Sequence, residues 1–590
     1  MKKIINTVEK IVDEMCAGFA LATPEIEWLP TYRIIKRKKI KAEKVSLISG
    51  GGSGHEPAHA GFVGPGMLDA AICGDVFASP SQIQVYQGIK AVASEKGVLM
   101  VIKNYSGDMM NFKNGAHFAA EDGILVDYVK VDDDIAVQDS LYTVGRRGVA
   151  GTVFVHKIAG AAAEQGKPLT EVKAIAEKVI ANVKSIGFAL TSCIVPAKGT
   201  PTFELSGDEM EYGVGIHGEP GINREPLKTS AQLADTMVDA LAKELELTEK
   251  DRVAVLVNGF GATPLMELYL FYYDVAKKLA AKNIDVARVF VGNYMTSIDM
   301  AGASLSILKL DAEIDALLNE PADTAAFKVS GAVDAITFAE YFKASTTDDD
   351  VCYGIETPVD YAAIEGKLNL NNLKYLVDAM SACIIENEVP FCELDSHAGD
   401  GDFGMSVAKG FRQLKREWKE ISTNATDMST FLHACSMVIM EHCGGASGPI
   451  WGSAFRAASK AIVGKDSLTV ADFADMMQAA VKGIQATGDR SFGRGAAVGD
   501  KTLIDALVPC ADAWTESGKN GTSFIDAFKA GAKAAVDGAK ATEKIVARMG
   551  RAGTVGERSL GYPDAGAYAL GVIFSEIYKN MKFHVNEASC

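Results

Sequence analysis

The sequence predicts a multidomain protein in which an α/β first part is followed by an all-α second part. Up to about residue 340, short apolar runs typical of β-strands alternate with helical stretches such as 170–185, 230–245 and 264–281. Alternation of this kind favours α/β layers. Beyond residue 358 the strand signals disappear, and apolar residues recur at the three- and four-residue spacing that is typical of helices.

The division into domains follows from the composition along the chain. Residues 1–343 form the predicted α/β part, and a break near 190–225 suggests two α/β subdomains within it. Residues 344–358 are polar, acidic and closed by proline, which predicts a linker. Residues 359–590 form the predicted helical part, with eight helical stretches at about 367–387, 404–420, 427–442, 449–463, 469–486, 500–516, 523–547 and 564–581.

Composition and charge narrow the classes of function. The 590 residues carry a net charge of −17, which disfavours nucleic acid and anionic membranes as partners. No apolar run is long enough to span a bilayer, and charged residues within 9–14 interrupt any signal-peptide core. The ten cysteines are scattered without a CxxC pair, which indicates the buried thiols of a cytoplasmic protein.

One acidic, glycine-rich stretch organises the second part. Asp395, Asp400 and Asp402 lie within residues 395–404, and the small residues between them let the backbone bring the carboxylates together. Three like charges this close repel unless a cation sits among them, and an all-oxygen site suits Mg²⁺ or Ca²⁺. An EF-hand is excluded because Phe411 stands where its last glutamate belongs. A solvated acidic loop is the alternative interpretation.

A second glycine-rich loop follows a strand in the first part. The apolar residues 45–48 run into Gly50-Gly51-Gly52-Ser53-Gly54-His55-Glu56-Pro57. So many glycines allow backbone N–H groups to approach a small polar or anionic ligand. The spacing fits neither the GxGxxG dinucleotide fingerprint nor a P-loop. A tight turn with a structural histidine is the alternative.

Two further places in the first part carry reactive groups. His217 is flanked by glycines within 215–221, so a loop presents its ring, and a neutral imidazole is both nucleophile and base near pH 7. Lys103 and Asp108 follow the apolar run 98–102, which puts a cation and a carboxylate on one loop. Asp108 could exchange protons with a bound hydroxyl. An ordinary surface histidine is the alternative for His217.

Glycine-rich joints also open predicted helices of the second part. Residues 443–449 precede a helix whose free N–H groups favour phosphate, although a plain helix start accounts for the same pattern. Residues 495–502 form a flexible basic loop, and residues 548–553 place a guanidinium group near a glycine turn. Residues 563–567 open the last predicted helix.

Five motifs in order make the chain resemble the dihydroxyacetone kinases in their single-chain, ATP-dependent form. They are Gly-Gly-Ser-Gly-His-Glu-Pro (51–57), Gly-Ile-His-Gly-Glu-Pro-Gly (215–221), Leu-Asp-x-x-x-Gly-Asp-Gly-Asp-x-Gly (394–404), Gly-Gly-Ala-Ser-Gly-Pro (444–449) and Gly-Asp-Lys-Thr (499–502). The resemblance covers nearly the whole chain, and five motifs in family order across two unlike parts are highly specific.

The resemblance implies that the α/β part holds the ketone, dihydroxyacetone, and that the helical part is an eight-helix barrel holding Mg-ATP. His217 is then the residue that bonds covalently to the substrate carbonyl as a hemiaminal. His55 and Asp108 are the acid/base pair that activates the accepting hydroxyl. The other implied substrate contacts are Gly52, Ser53, Gly54 and Lys103.

The resemblance also implies the residues that hold Mg-ATP. Asp395, Asp400 and Asp402 match the family's Mg²⁺ ligands, for about two ions. The implied nucleotide contacts are Phe403, Gly404, Met405, Ser406, Ala446, Ser447, Gly495, Leu503, Arg551, Asp564, Ala565 and Gly566. Two stretches depart from the family's pattern. The usual Asp-Pro-Gly-Ala is Asp564-Ala565-Gly566-Ala567, and the loop 488–499, which determines how Gly495 is aligned, differs from the common length.

The sequence leaves alternatives open. Another short ketose or aldose, such as erythrulose or glyceraldehyde, would use the same residues, and only the pocket's shape separates these substrates. A sensor that binds ketone or nucleotide without turnover is a second alternative, although it would not need the acid/base pair. The fusion of both parts on one chain favours free ATP over a phosphocarrier as the donor, and a homodimer is the expected assembly.

Overall fold

The chain divides into two units, Met1–Tyr341 and Phe342–Cys590. The structure, a computed structural model, describes residues 2–137, 145–219, 221–341, 351–549, 553 and 556–583. Residues 344–350 of the predicted linker therefore lie outside the described residues, whereas 351–358 are described. None of the described helices combines the length and the apolar character needed to cross a bilayer.

The first unit begins with a six-stranded sheet in the order β1-β2-β4-β3-β5-β6. Strands β3, β4, β5 and β6 are mutually parallel, and β1 and β2 extend the sheet with antiparallel pairing. The strand bounds are β1 (Ile26–Leu29), β2 (Ile34–Arg37), β3 (Ser46–Ser53), β4 (Ala70–Val76), β5 (Val98–Lys103) and β6 (Val126–Val131).

A second six-stranded sheet has the order β11-β10-β12-β7-β8-β9 and is antiparallel except between β10 and β11. Its strands are β7 (Val183–Ala189), β8 (Glu209–Tyr212), β9 (Asn223–Pro226), β10 (Arg252–Gly259), β11 (Asp285–Gly292) and β12 (Gly302–Lys309); a two-stranded sheet adds β13 (Ala322–Asp323) and β14 (Lys328–Val329).

Eight α-helices of the first unit are described, and they cover both sheets. They are α1 (Ile11–Ala22), α2 (Gln82–Val92), α3 (Ser106–Glu121), α4 (Thr152–Glu164), α5 (Leu169–Asn182), α6 (Ser230–Glu244), α7 (Leu265–Ala281) and α8 (Ala312–Asn319). The predicted α/β architecture is confirmed.

Alternating side chains bury each central strand on two faces. In β5, Leu99 and Val101 belong to the core that contains α4 and α5, whereas Met100 packs with α2 and α3. In β10, Leu256 belongs to the α4–α5 core and Val255 packs with α6 and α7. Helices α4 and α5 therefore share a core with both sheets. This is possible because successive side chains of a strand point to opposite faces of its sheet, so each strand contributes to two cores.

The change from one sheet to the other comes earlier than the sequence suggested. The first sheet ends at Val131 and the second begins at Val183, whereas the predicted subdomain break is near 190–225. That region lies within the second sheet, where it forms the connections from β7 through β8 to β9. Its described glycines and prolines, which indicate a boundary by composition, lie in the connections between neighbouring strands.

The second unit is helical, as predicted, with ten α-helices among its described residues. The helices are α9 (Leu370–Glu386), α10 (Glu388–Asp395), α11 (Phe403–Arg416), α12 (Trp418–Asn424), α13 (Met428–His442), α14 (Ser447–Ala461), α15 (Val470–Phe492), α16 (Ile504–Lys519), α17 (Phe524–Ala541) and α18 (Ala565–Asn580). Eight correspond to predicted stretches, and the short α10 and α12 are additional. Two-residue strands β15 (Ala363–Ile364) and β16 (Lys582–Phe583) form one parallel pair.

Candidate active site

The loop between β8 and β9 presents His217. The backbone N–H of His217 donates to Oε2 of Glu219 at 2.9 Å, and His217 Nδ1 lies 3.0 Å from Oε1 of the same carboxylate. Gly218 has φ +75°, a conformation that side chains other than glycine rarely adopt, so it lets the loop fold back on Glu219. The carboxylate thus fixes both the backbone and the ring of His217.

His55, after β3, faces His217. His55 Nε2 lies 3.1 Å from His217 Nε2, and His55 Nδ1 lies 2.8 Å from the carbonyl oxygen of Thr296. A carbonyl and a carboxylate accept only, so we assign a proton to each Nδ1. A neutral pair holds just those two protons, and a hydrogen bond between the Nε2 atoms would require a third. In the neutral pair both Nε2 lone pairs are therefore available to a substrate.

Aromatic rings enclose the two histidines. The Phe77 ring stacks on His55 with ring centroids 5.1 Å apart and meets His217 edge-on at 5.0 Å. Tyr105 meets His217 edge-on at 4.6 Å. The side chain of His217 keeps 15% of its surface exposed, whereas His55 has none. Only the His217 ring therefore offers an approach from solvent.

Lys103 and Asp108 lie at the end of β5 and the start of α3. Both are buried, and Lys103 Nζ lies 3.8 Å from Asp108 Oδ2, which is beyond hydrogen-bond distance. Lys103 Nζ has no hydrogen-bond partner among the described residues. A Cβ atom on Gly51 would lie 3.0 Å from Lys103 Nζ and 3.4 Å from Asp108 Oδ2. The missing side chain of Gly51 keeps this space open, and a buried ammonium group with unused hydrogen-bond donors fits a polar ligand there.

Burial sets the charges in this cluster. It lowers the pKa of His55 well below its ordinary value, with the charges of His217 and Lys103 acting in the same direction. Burial also lowers the pKa of Lys103, although Asp108 and Glu219 oppose the shift. For Glu219, burial alone would raise the pKa, but His217 and Arg147 hold it at about 2. His55 is therefore a neutral base and Glu219 a carboxylate at neutral pH.

The glycine-rich loop 50–54 contributes close backbone packing to the site and not a free side-chain group. Ser53 Oγ donates to the carbonyl oxygen of Gly74 at 2.8 Å, so the loop itself uses this hydroxyl. A Cβ atom on Gly52 would lie 2.6 Å from the Ala78 backbone nitrogen, and one on Gly54 would lie 2.8 Å from the Phe77 ring. Both glycines permit close packing that places Phe77 against the histidines.

In the second unit, the three predicted aspartates converge. Asp395, Asp400 and Asp402 each offer a carboxylate oxygen, and these oxygens lie within 4.8 Å of one another. Gly401, with φ +76°, donates its backbone N–H to Asp395 Oδ2 at 3.0 Å. Burial and the neighbouring aspartates raise the pKa of Asp395. Three converging oxygens that repel one another fit a hard divalent cation such as Mg²⁺.

Four helix N-termini surround a cavity of about 190 Å³ beside these aspartates. The starts of α11, α14, α16 and α18 reach it through Phe403, Ser447, Leu503 and Ala565. Helix N-termini carry unpaired N–H groups and a partial positive charge, so several together favour a phosphate chain. The cavity and the carboxylates thus combine features suited to a metal–polyphosphate.

Lys501 ties three segments together at this cavity. Its buried ammonium group donates to the carbonyl oxygens of Thr542, Ser559 and Tyr562 at 2.8, 2.5 and 2.7 Å. Nearby, removal of the Asp564 carboxyl group from water raises its pKa to about 7, and repulsion from Asp505 and Asp395 contributes.

Most of the predicted nucleotide residues reach the cavity. Its lining includes Phe403, Ser406, Ala446, Ser447, Leu503, Asp564, Ala565 and Gly566, along with all three aspartates. Gly404, Met405 and Gly495 are not among the described lining residues. Gly404 packs against the carbonyl oxygen of Glu388 instead, and Met405 is 55% exposed. The predicted contact Arg551 lies outside the described residues.

The structure adds residues that the sequence did not single out. Glu219 lies two positions after His217, so its role could have been found from the His-Gly-Glu spacing alone. Lys501 lies in the Gly-Asp-Lys-Thr motif (499–502), which could have singled it out. Phe77 and Tyr105 carry no such local signal, because separate elements bring them to their partners.

Two domain families account for the chain. Residues 17–326 match the Dak1 domain, and residues 397–579 match the DAK2 domain. The matches fall on either side of the division between the two units. They correspond to the α/β and the helical architecture respectively.

Relatives and solved structures agree with this assignment. L-erythrulose 1-kinase from Mycolicibacterium smegmatis is 33% identical over 98% of this chain and 100% of its own. The dihydroxyacetone-binding subunit of a PTS-dependent dihydroxyacetone kinase from Listeria innocua is 53% identical over 55% of this chain and 100% of its own. The C. freundii dihydroxyacetone kinase, solved with AMP-PNP and Mg²⁺, shares 31% identity over 98% and 99% of the two chains, with a TM-score of 0.59. The chain belongs to the dihydroxyacetone kinase family.

Proposed function

We propose that this protein transfers the γ-phosphate of Mg-ATP to dihydroxyacetone and forms dihydroxyacetone phosphate. The observation that carries the proposal is the orientation of His217. Glu219 holds Nδ1, so Nε2 faces an enclosed polar site that also contains His55 and Lys103, whose Nζ has no hydrogen-bond partner among the described residues. Membership of the family supports the same reaction class.

The ketone is held covalently in this proposal. The Nε2 lone pair of His217 attacks the carbonyl carbon, and an N–C bond forms as the C=O π bond breaks toward oxygen. The ring then gives up its Nδ1 proton to Glu219, which passes it to solvent, and the new hydroxyl group gains one proton from solvent. The number of protons is unchanged and no oxidant is needed. An alcohol such as glycerol has no carbonyl and cannot be captured in this way.

The accepting hydroxyl needs a base. His55 is buried and its low pKa keeps Nε2 unprotonated, so it can take a proton at neutral pH. Asp108 lies beside Lys103 and provides a carboxylate on the same side as Gly51. We assign His55 and Asp108 to proton removal, and Lys103 and the loop 52–54 to binding of the ketone.

The second unit supplies the donor site. Asp395, Asp400 and Asp402 would hold Mg²⁺, for about two ions, which offset the charge of the triphosphate and of the transferring phosphoryl group. The helix N-termini around the cavity orient the phosphates, and Lys501 fixes the loops beside them. A cytoplasmic homodimer is part of the same proposal.

A four-carbon ketose is the second candidate substrate. A full-length relative is an L-erythrulose 1-kinase, and erythrulose presents the same carbonyl with a neighbouring hydroxyl. A sensor without turnover is less well supported, because a binding role alone does not explain a neutral base at His55 beside His217.

The test is an ADP-release assay with dihydroxyacetone, glyceraldehyde, erythrulose and glycerol under one set of conditions. We expect ketone-dependent ADP release that requires Mg²⁺, and none with glycerol. Equal rates of ADP release with glycerol and with a ketone would contradict covalent capture. A rate of ADP release that is the same with and without each of the four compounds would contradict the kinase assignment.

A further inference from the structure

A buried polar cluster lies behind His217, on the side away from His55. Arg147 is fully buried, and it donates through Nε to Asp134 Oδ2 at 2.8 Å and through Nη2 to the carbonyl oxygen of Gly213 at 2.7 Å. Its third nitrogen, Nη1, has no hydrogen-bond partner among the described residues. A buried guanidinium group with one orphaned donor calls for an explanation beyond packing.

Gly215 shows where that orphaned donor points. A Cβ atom on Gly215 would lie 2.7 Å from Arg147 Nη1 and 2.0 Å from Glu219 Oε2. The guanidinium and carboxylate groups therefore flank the same backbone position, and only a glycine fits between them. Glu219 uses its two oxygens on the backbone and ring of His217. Arg147 thus lies beside the carboxylate group that holds His217.

We infer that Arg147 is a positioning residue for the ketone site: it keeps Glu219 as a carboxylate, and Glu219 in turn directs Nε2 of His217 to the substrate. This inference rests on the proposed covalent capture of the ketone. Without Arg147, a carboxyl group this deeply buried would take up a proton more readily. A protonated Glu219 no longer requires a proton on Nδ1 of His217, and the nucleophilic lone pair is no longer confined to Nε2.

The electrostatics around Glu219 give the sign of the effect. His217 and Arg147 lower the pKa of Glu219 to about 2 against the effect of burial. Lys103, Tyr105 and Asp134 are the other ionisable groups whose charges act on Glu219 or Arg147. Removing the Arg147 charge raises the pKa of Glu219, so the carboxylate is lost at a higher pH as the solution is acidified.

The test follows the carbonyl carbon of [2-¹³C]dihydroxyacetone by NMR with the full-length protein across a pH series. A hemiaminal moves this carbon from the carbonyl to the tetrahedral range. The variants are Arg147→Met, which removes the charge, and Arg147→Lys, which keeps it. The matched control is Arg146→Met, because Arg146 is the adjacent arginine and its guanidinium pairs with Glu244 near the surface.

We expect Arg147→Met to lose the adduct on acidification at a pH at least about one unit above that of the parent. Arg147→Lys should restore most of the parent's profile, and Arg146→Met should match the parent. An unchanged profile in Arg147→Met would overturn the inference. So would an equal loss at every pH in both Arg147 variants, since that indicates packing alone.

Asp134→Asn keeps the test decisive if Arg147→Met does not fold. This variant retains the guanidinium charge but removes its carboxylate partner. The pH at which the adduct is lost on acidification should therefore equal that of the parent or be lower. An upward shift in Asp134→Asn would overturn the inference. Absence of any tetrahedral signal in the parent would instead overturn covalent capture itself, and it is seen before any variant is compared.

Discussion

At the scale of single residues, Glu219 distinguishes His217 from an ordinary loop histidine. Its carboxylate accepts from both the backbone and the ring, so the tautomer and the direction of the ring are set together. The flanking glycines make room for this return of the loop, with Gly215 against Glu219 and Gly218 at positive φ. The direction of the proposed nucleophile is thus set within residues 215–219 of one loop.

His217→Ala should abolish the tetrahedral ¹³C signal of bound dihydroxyacetone and lower kcat/KM by roughly a hundredfold or more, because the acceptor is no longer fixed in place. The matched control is His117→Ala, since the His117 side chain is 68% exposed and pairs with Glu121 on the surface of α3. A variant that retains the adduct would show that another residue captures the ketone.

A second histidine pair predicts how stability depends on pH. His156 is fully buried on α4, and its Nε2 lies 3.0 Å from His59 Nδ1. Burial lowers the pKa of His156 to about 3, and the charge of Lys103 contributes. As the pH falls below about 6.5, His156 is protonated in the unfolded chain but not in the folded chain. The free energy of unfolding therefore falls by about 1.4 kcal/mol per pH unit.

His156→Gln should remove this contribution while leaving a side chain that can still hydrogen bond to His59. Hydrogen exchange of α4, measured by mass spectrometry in the full chain, reports the local free energy of opening. On acidification, the opening free energy of the variant should fall less steeply than that of the parent. The difference in slope should correspond to one proton, or about 1.4 kcal/mol per pH unit. Identical slopes would show that His156 is already protonated in the folded protein.

At the scale of elements, the loop between α10 and α11 brings three carboxylates together, and the following helix start faces the same cavity. Asp402→Asn should weaken Mg²⁺-dependent turnover at least about tenfold, since it removes one of three charged oxygen ligands. The ketone adduct should remain intact because His217 is on the other unit. Asp466→Asn, an exposed aspartate of the same unit, serves as the control.

Calorimetry of Mg-ATP binding checks this assignment directly. The Asp402→Asn variant should bind Mg-ATP more weakly than Asp466→Asn and the parent. Unchanged Mg-ATP affinity and turnover would contradict the assignment of the aspartates to metal.

The elements also show what sequence reasoning can and cannot supply. Strand–loop–helix alternation and helical spacing predict both architectures, because those periods reflect which faces are buried. The short helices α10 and α12 were missed because so few turns carry little periodicity. The sheet boundary was misplaced because turns inside the second sheet have the same composition as a linker. Phe77 and Tyr105 could not be assigned, since only tertiary structure brings their rings to His217.

At the scale of the whole molecule, the two proposed sites belong to separate units of one chain. Each unit has its own buried core, and neither contains both a reactive histidine loop and the three aspartates. We therefore expect the functions of the units to be separable by mutation. Phosphoryl transfer still requires donor and acceptor oxygens to meet in line with water excluded.

Mixing full-length His217→Ala with full-length Asp402→Asn tests whether a donor unit can serve an acceptor unit on another chain. Each variant alone should be nearly inactive. Activity recovered on mixing, after conditions that allow subunits to exchange, would support transfer between chains of a homodimer. If activity does not return after demonstrated exchange, transfer occurs within one chain.

The most direct test of the central claim follows the γ-phosphoryl group itself. The full-length protein is mixed with [γ-³²P]ATP, Mg²⁺ and dihydroxyacetone, quenched at intervals and separated by chromatography. The account predicts that label leaves ATP only when the ketone is present and appears in dihydroxyacetone phosphate in step with ADP. Label that appears as inorganic phosphate, or that moves equally well to glycerol, would contradict it.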